Sequence, residues 1–395
     1  MNISIIGGGM VGATLALTLS YLSRGALQIN LIESKVPENH NHAGFDSRAI
    51  ALAIGTCCRL DSVGIWETLR SISTIITQIE VILQRQFVKI YISAKDYQLS
   101  ELGYVIELRK AGKKLFELLK KAPGVQLHCP ATIVFLKQQN QETIITLDNG
   151  KELNTKLVIV AEGAKSKSIS PCGIYWKKSS YQQIAIVANI NTNIPHYGNA
   201  FEYFTSQGLL TVLPISNLRS SFIWCLQEDL GQEISKWDNR KFCKALQKIF
   251  SWKFGDISVS GKRQYYPLYL RVAQRQISHR LVLVGNAAQT LHPIAGQGCN
   301  LGLRDAFILA KTIIQAITKK EDIGSYAVLL RYQQLRKLDR ENVINITDGL
   351  INLFSNHCLP LVIARNIGFF TLACSPMLRK ILVKNFLGLT HYLND

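Results

Sequence analysis

Met1-Asn2-Ile3-Ser4-Ile5-Ile6-Gly7-Gly8-Gly9-Met10-Val11-Gly12 opens the chain, and Leu31-Ile32-Glu33 ends a second apolar run. Residues 3–6 read as a short buried strand, 10–21 as an alanine- and leucine-rich helix, and Gly7, Gly9 and Gly12 as the turn between them. Each glycine has a physical task in such a turn. Gly7 permits the tight reversal, Gly9 lets backbone approach a pyrophosphate, and Gly12 lets helix and strand pack closely, while the helix N-terminus turns its partial positive charge toward phosphates. Glu33, about 20 residues beyond Gly12, falls where a second strand offers a carboxylate to ribose hydroxyls. A 2′-phosphate would be repelled there, so FAD or NAD is favoured over NADPH at this turn. Glycine-rich turns also serve as plain connections, and the remainder of the chain has to decide.

At 395 residues the chain is long enough for two or more domains with cores of their own. A hydrophobic content of 47% against 18% charged residues describes a globular protein rather than a disordered one. The nine cysteines are scattered without metal-ligand or disulfide spacing, so no metal site is expected and a reducing compartment, the cytoplasm, is the simplest location. No basic n-region precedes the first strand, so no export signal is expected. The net charge of +18 is spread along the chain, which disfavours nucleic acid as partner. An anionic membrane surface and a merely solvated basic surface both fit it. Residues 366–378 carry no formal charge but fall short of the ~20 needed to span a bilayer, and Pro376 interrupts them. The surrounding segment 359–389 mixes apolar residues with Arg365, Arg379, Lys380 and Lys384. That pattern suits peripheral binding at the inner face of the cell membrane, and equally helices packed on the protein's own core.

Periodicity predicts a helix over 47–60, alternating strands over 75–92, a helix over 110–121 stopped by Pro123-Gly124, and strands at 125–128, 132–136, 143–147 and 157–161. The stretch 176–268 reads differently. Strands at 183–190, 201–205, 209–214 and 221–226 with a helix at 239–250 suggest a separate antiparallel sheet. Residues 280–286 then return to a buried strand, followed by a small-residue loop at 292–300 and a helix to about 317. The expected fold is α/β: a Rossmann-like nucleotide-binding domain in three parts (1–72, 99–175 and 269–322) interleaved with an antiparallel-sheet substrate domain (73–98 and 176–268), with a helical region at 323–395.

Three separated motifs, Gly7 to Gly12 with Glu33, Glu162-Gly163-Ala164-Lys165-Ser166, and Gly285-Asn286, resemble those of the class A aromatic flavoprotein monooxygenases of the para-hydroxybenzoate hydroxylase fold. Phe45-Asp46-Ser47-Arg48-Ala49-Ile50-Ala51-Leu52, Arg331-Tyr332-Gln333-Gln334 and Gly285-Asn286-Ala287-Ala288-Gln289-Thr290-Leu291-His292-Pro293-Ile294-Ala295-Gly296-Gln297-Gly298 narrow the resemblance to the ubiquinone-biosynthesis hydroxylases, which share Asn286 in place of the wider family's Asp. The resemblance implies that the glycine turn holds the ADP part of FAD, Glu162-Gly163 the pyrophosphate region, and Gly285-Asn286 the ribityl chain. Arg48 is then expected at the FAD phosphate or ribityl region. Pro293, Gly296, Gln297, Gly298 and Asn300 are expected at the isoalloxazine, with backbone N–H groups at a helix start facing negative charge on the flavin.

The implied reaction takes electrons from NAD(P)H, forms a flavin C4a-hydroperoxide with O2, and hydroxylates the ring of a polyprenylated methoxyphenol without a side-chain nucleophile. Other proteins of the pathway and the membrane surface are the implied partners. Tyr203, Phe204, Leu213 and Trp224 could line the substrate pocket, although aromatic residues on strands are also ordinary core. His292 reads as a satisfied polar residue. A sibling hydroxylase acting at another ring position, and a weakly active flavoprotein with a structural role in the assembly, both stay open. Two departures from the family pattern are Glu162 for Asp and Ile169 where many members carry arginine. The longer Glu162 side chain would need a shifted backbone for the same hydrogen bond, so Glu162→Asp is expected to bind FAD or NAD(P)H modestly tighter; titration and steady-state kinetics without any gain would refute this.

Overall fold

The computed structural model describes residues 1–37, 46, 48–84, 89–163, 173–205, 207–250, 252–355 and 358–389. Chemistry begins from a six-stranded sheet made of β1 (Asn2–Ile6), β2 (Gln28–Ile32), β8 (Val125–His128), β12 (Leu157–Val160), β18 (Ile277–Ser278) and β19 (Leu281–Leu283), in the order β18-β19-β12-β1-β2-β8. All pairings are parallel except β18 with β19. Parallel strands are buried on both faces, which is why these runs are apolar throughout. Ile3, Ile5, Leu157 and Ile159 join one core with α1 (Met10–Leu22), α4 (Leu108–Leu119) and α7 (Gln297–Thr318). Ile6, Val158 and Val160 point the other way, into a core shared with a small antiparallel sheet of β9 (Ile133–Gln138), β10 (Thr143–Leu147) and β11 (Glu152–Thr155).

A second large sheet has eight strands in the order β20-β17-β13-β16-β15-β14-β5-β6: β5 (Gln78–Leu83), β6 (Lys89–Ser93), β13 (Trp176–Thr192), β14 (Asn199–Thr205), β15 (Gly208–Ser216), β16 (Arg219–Gln227), β17 (Ile257–Ala273) and β20 (Gln289–Thr290). Side chains alternate across it. Phe201, Tyr203, Leu210, Val212, Phe222 and Trp224 face α5 (Glu228–Ser235) and α6 (Asn239–Phe250), whose Phe242, Leu246 and Phe250 complete that core. The opposite face carries Ala185, Val187, Phe204, Leu209 and Cys225, and it meets Ile294 together with Ile351 of α8 (Tyr326–Ser355) and Phe369 of α9 (Leu359–Cys374). The site lies at this second face.

Three local differences from the sequence expectation have physical reasons. Residues 47–60 are not one helix: β3 (Ala49–Ala53) precedes α2 (Ile54–Asp61), because the Ala-Ile-Ala-Leu-Ala run pairs antiparallel with β7 (Gly103–Glu107), Ala49 opposite Glu107. Long-range pairing overrides a local propensity for helix. The strand β4 (Ser73–Ile76) sits on the other side of β7, so residues 73–76 leave the large sheet to which 73–98 was assigned. The expected boundary at 268 falls inside β17, whose 17 residues pair with β13 as far as Ala273 opposite Trp176. The helix α3 (Trp66–Arg70) and the helix α10 (Pro376–Phe386) complete the described elements. Among the described residues, no single helix is long and apolar enough to cross a membrane.

Candidate functional site

The carboxyl ends of β1, β12 and β19 lie side by side, the position at which open α/β sheets bind ligands. After β1 the chain reverses at Gly7, whose φ is +99° and whose added Cβ would lie 2.7 Å from the Ala161 carbonyl carbon and the Glu162 nitrogen. Gly12 comes so close to the turn that a Cβ there would stand 1.9 Å from the Gly7 oxygen. Gly9 caps α1 without any side-chain acceptor for the first-turn amides, and space within 4 Å of its missing Cβ is open. Uncapped amides beside an open cradle are what a pyrophosphate requires. Glu33 is buried next to them: Oε2 accepts the Gly8 N–H at 2.7 Å, and Oε1 accepts the Lys35 N–H at 3.0 Å.

Glu162 and Gly163 follow β12 on the same rim, with Glu162 exposed and no atom within 4 Å of the missing Gly163 Cβ. Ala164, Lys165, Ser166 and Ile169 lie outside the described residues, as do Phe45 and Ser47. Beyond β19, Gly285 (φ +60°) packs on Val11, and the side chain of Asn286 is exposed. The Gly285 N–H donates to Asp305 Oδ2 at 3.1 Å, which pins this turn to α7. The donor set, the acid and the open space fit the ADP and ribityl parts of FAD.

The loop at 293–296 leads from β20 of the large sheet back to α7, which packs on the six-stranded sheet. Ala295 (φ 53°) and Gly296 (φ 58°) are both left-handed, and Gly296 caps α7 without a side-chain acceptor, so Gln297 and Gly298 present backbone N–H groups at an uncapped helix start. Open space surrounds the missing Gly298 Cβ. The Gln297 side chain folds back, its Nε2 donating to the Ala295 oxygen at 3.1 Å. His292 is buried and satisfied: Nδ1 accepts the Ile294 N–H at 3.2 Å, which leaves Nε2 to donate to Gln183 Oε1 at 3.0 Å. Burial pushes this imidazole down to about 3, so it stays neutral.

Arg48 pairs with Asp46 (Nε to Oδ1 2.8 Å) and lies over the Tyr266 ring of β17, 5.0 Å from its centroid, so it ties the start of β3 to the large sheet. The stretch 331–334 packs α8 inward through Tyr332, which is wholly buried.

Three expectations are corrected. Asn300 cannot serve a cofactor with its side chain, because all four of its hydrogen-bonding positions are taken. Oδ1 accepts from Ala53 N–H (2.9 Å) and Thr56 Oγ1 (2.8 Å), and Nδ2 donates to the Ala51 oxygen (2.9 Å) and the Gly296 oxygen (3.0 Å). Tyr203 and Trp224 do not line the site; strand alternation turns both toward α6, into the core with Phe242 and Phe250. Leu213 projects from the opposite face of β15, packed beside Ala49 and Ile215, and Phe204 lies on the site face. A cavity of about 50 Å³ opens there between Phe204, Leu209, Gln183, His292, Ile294 and Phe354. A wider cleft of about 740 Å³ at Arg70, Tyr104 and Arg219 is a shallow surface groove that holds none of the residues selected from sequence.

Two acids had escaped notice. Asp305 is wholly buried in α7 and bonds Gln289 and Arg336 as well as Gly285. Glu202 stands between Phe201 and Tyr203 in an apolar strand, accepts the Thr211 hydroxyl at 2.8 Å, and lies near the Ala295 backbone amide of the 293–296 loop. A lone acid amid an alternating apolar run was the signal for the latter; Asp305 had no local signal.

Known proteins converge on the same assignment. The model of the FAD binding domain family matches residues 1–346. The chain is 32% identical to ubiquinone hydroxylase UbiL of Rhodospirillum rubrum, over 98% of this chain and 89% of that one. It is 27% identical to the 3-demethoxyubiquinol 3-hydroxylase of Escherichia coli, over 98% of both. In fold it is similar to the p-nitrophenol 4-monooxygenase of Pseudomonas putida, with a TM-score of 0.80 at 17% identity, covering 98% of this chain and 97% of that one. The glycine turn, the Gly285 strand end and the 293–298 loop all fall inside the matched region, and the chain belongs to the FAD binding domain family.

Proposed function

We propose that this protein is an FAD-dependent monooxygenase that hydroxylates the aromatic ring of a polyprenylated methoxyphenol in ubiquinone biosynthesis, using NAD(P)H and O2. One observation carries the reading: the uncapped α7 start and the 293–296 loop stand against an apolar sheet face, at the far end of a cradle shaped for FAD. The names of the relatives from Rhodospirillum rubrum and Escherichia coli support the substrate class. Bound FAD supplies two-electron and oxygen chemistry that no side chain here can provide.

The chain's own residues bind, orient and exclude water. Amides of the α1 start would hold the pyrophosphate, and Glu33 beside Gly8 would take the ribose. First-turn amides of α7 would offer donors to negative charge on a bound flavin, and the apolar face around Phe204, Leu209 and Ile294 would keep water away. The test is FAD reconstitution followed by assay with a short-chain prenyl-methoxyphenol. Flavin absorption bands, NAD(P)H consumption and stoichiometric hydroxylated product are expected, and the position of the new hydroxyl separates this enzyme from a sibling acting elsewhere on the ring. Absence of flavin bands would refute the proposal, and a bound flavin that NAD(P)H cannot reduce would favour a structural role.

The substrate's apolar tail calls for access from a membrane, and α9 and α10 supply the means. They expose Leu359, Ile363, Ile367, Phe370, Met377 and Ile381, with Arg365, Arg379, Lys380 and Lys384 among them, and no acidic residue occurs over 359–389. Basic residues near an anionic surface contribute roughly 1 kcal/mol each. The protein is expected to co-sediment with phosphatidylglycerol vesicles and to be released by salt, whereas equal binding to phosphatidylcholine would contradict the electrostatic part.

A further inference from the structure

We propose that Glu202 is the proton acceptor for the ring hydroxyl of the phenolic substrate, an inference that rests on the ring-hydroxylase reading above. Its place in the fold is specific. On β14 the alternation sends Phe201 and Tyr203 to the helix-covered core and Glu202 with Phe204 to the site face. Around it on that face stand Val81 of β5, opposite it in register, and Thr211 of β15, with Leu209 and Leu213 beyond. The loop at 293–296 comes up to it, with the Ala295 backbone amide near the carboxylate.

Glu202 keeps partial exposure among these neighbours. Burial raises the carboxyl to about 7, against the lowering effect of Thr211 and Ala295. An acid poised there can accept a proton near neutrality. The other titratable group facing it is the Cys225 thiol of β16, which burial and then Glu202 itself push far up, so it stays protonated. His292 on the loop is neutral with both nitrogens engaged. Glu80 of β5 projects to the opposite face, where it pairs with Lys253 and Lys89.

The step balances simply. The ring O–H bond breaks, the proton moves to a Glu202 carboxylate oxygen, and the electron pair stays on the ring oxygen, enriching the ring carbons ortho and para to it. The proton later returns to solvent. General-base assistance of this kind is worth roughly 10²–10⁴-fold.

Glu202→Gln tests this, because a glutamine oxygen can still accept from Thr211 but cannot take up a proton. FAD affinity is expected within about 2-fold of wild type, while product formed per NAD(P)H consumed falls by about 100-fold or more and hydrogen peroxide makes up the balance. Product formation in the wild type should rise with pH through about 7, and Glu202→Asp should keep that limb where Glu202→Gln loses it.

A second readout uses apoprotein alone. A carboxyl raised by folding adds stability at low pH that is lost as pH rises from about 4.5 to about 7. Glu202→Gln should therefore melt higher than wild type at pH 8 and show no such gain at pH 5. Normal coupling in Glu202→Gln, loss of FAD from that variant, or an apoprotein melting difference independent of pH would each overturn the proposal. Wild type that forms no hydroxylated product would instead sink the ring-hydroxylase reading, and this proposal with it.

Discussion

Gly12→Ala is expected to lower FAD affinity by at least about 100-fold, or about 2.7 kcal/mol, and to destabilise the apoprotein as well. The alanine Cβ would stand 1.9 Å from the Gly7 oxygen and 3.2 Å from the Ala161 Cβ. Relief by moving the turn is blocked, because Gly7 is itself wedged against the Ala161 and Glu162 backbone. Overpacking where neighbours can adjust costs about 1–3 kcal/mol, and here the nearest neighbour, at 1.9 Å, is backbone that cannot swing aside. Gly9→Ala is the informative partner. Its Cβ would enter open space, so apoprotein stability should change by less than about 0.5 kcal/mol. FAD affinity should nevertheless fall, since the ligand needs that space. Melting of apoprotein and FAD titration of both variants decide the matter. A Gly12→Ala protein as stable as wild type, or a Gly9→Ala protein that binds FAD normally, would show that the cradle has been misread.

That contrast also explains what was legible in the sequence. Glycine spacing encodes backbone geometry directly, so the strand, turn and helix of residues 2–22 could be placed to within a residue or two. The doubly buried strands at 157–160 and 281–283 were equally visible, because burial on both faces leaves an uninterrupted apolar run. Residues 49–53 were not, since an alanine-rich run declares no partner and the pairing with 103–107 is a tertiary event.

The substrate face shows a subtler failure. Alternation separates Phe204 from Tyr203, but nothing local says which set meets α6 and which meets the 293–296 loop. Aromatic character drew attention to Tyr203 and Trp224, whereas the informative residue was the acid between two of the aromatics. Asn300 belongs to the first turn of α7 rather than to the loop, and its side chain is taken up by partners at 51, 53 and 56, far away in sequence. Side-chain saturation of that sort is decided by long-range geometry alone.

The same holds for Asp305, and there the consequence is a large one. Asp305→Ala is expected to destabilise the protein by about 3–5 kcal/mol, the range for removing one partner of a buried ion pair. Oδ1 accepts Arg336 Nε at 2.7 Å, and Oδ2 accepts Gln289 Nε2 at 2.7 Å and the Gly285 N–H at 3.1 Å, all in the dry layer between α7 and α8. Arg336 donates onward to Asp339 at 2.6 Å, and Asp339 also accepts from Arg304 at 3.0 Å. Burial works against these guanidinium groups: it pushes Arg304 down to about 10 despite Asp339, and Asp305 and Asp339, with Tyr332 beside them, hold Arg336 up against it. Removing Asp305 therefore leaves a buried cation short of one counter-charge and strips three donors of their acceptor at once. Arg336→Met should cost a comparable amount, because Asp305 keeps two neutral donors but loses its ion-pair partner, and the double variant should lose less than the sum of the singles. The turn at Gly285 loses its anchor in Asp305→Ala, so FAD affinity should fall together with stability, whereas Arg336→Met should weaken stability with little change in affinity. Denaturant unfolding and FAD titration of the three variants separate these effects. A loss below about 1 kcal/mol for Asp305→Ala would mean that the network is relaxed by water and that Gly285 is held by something else.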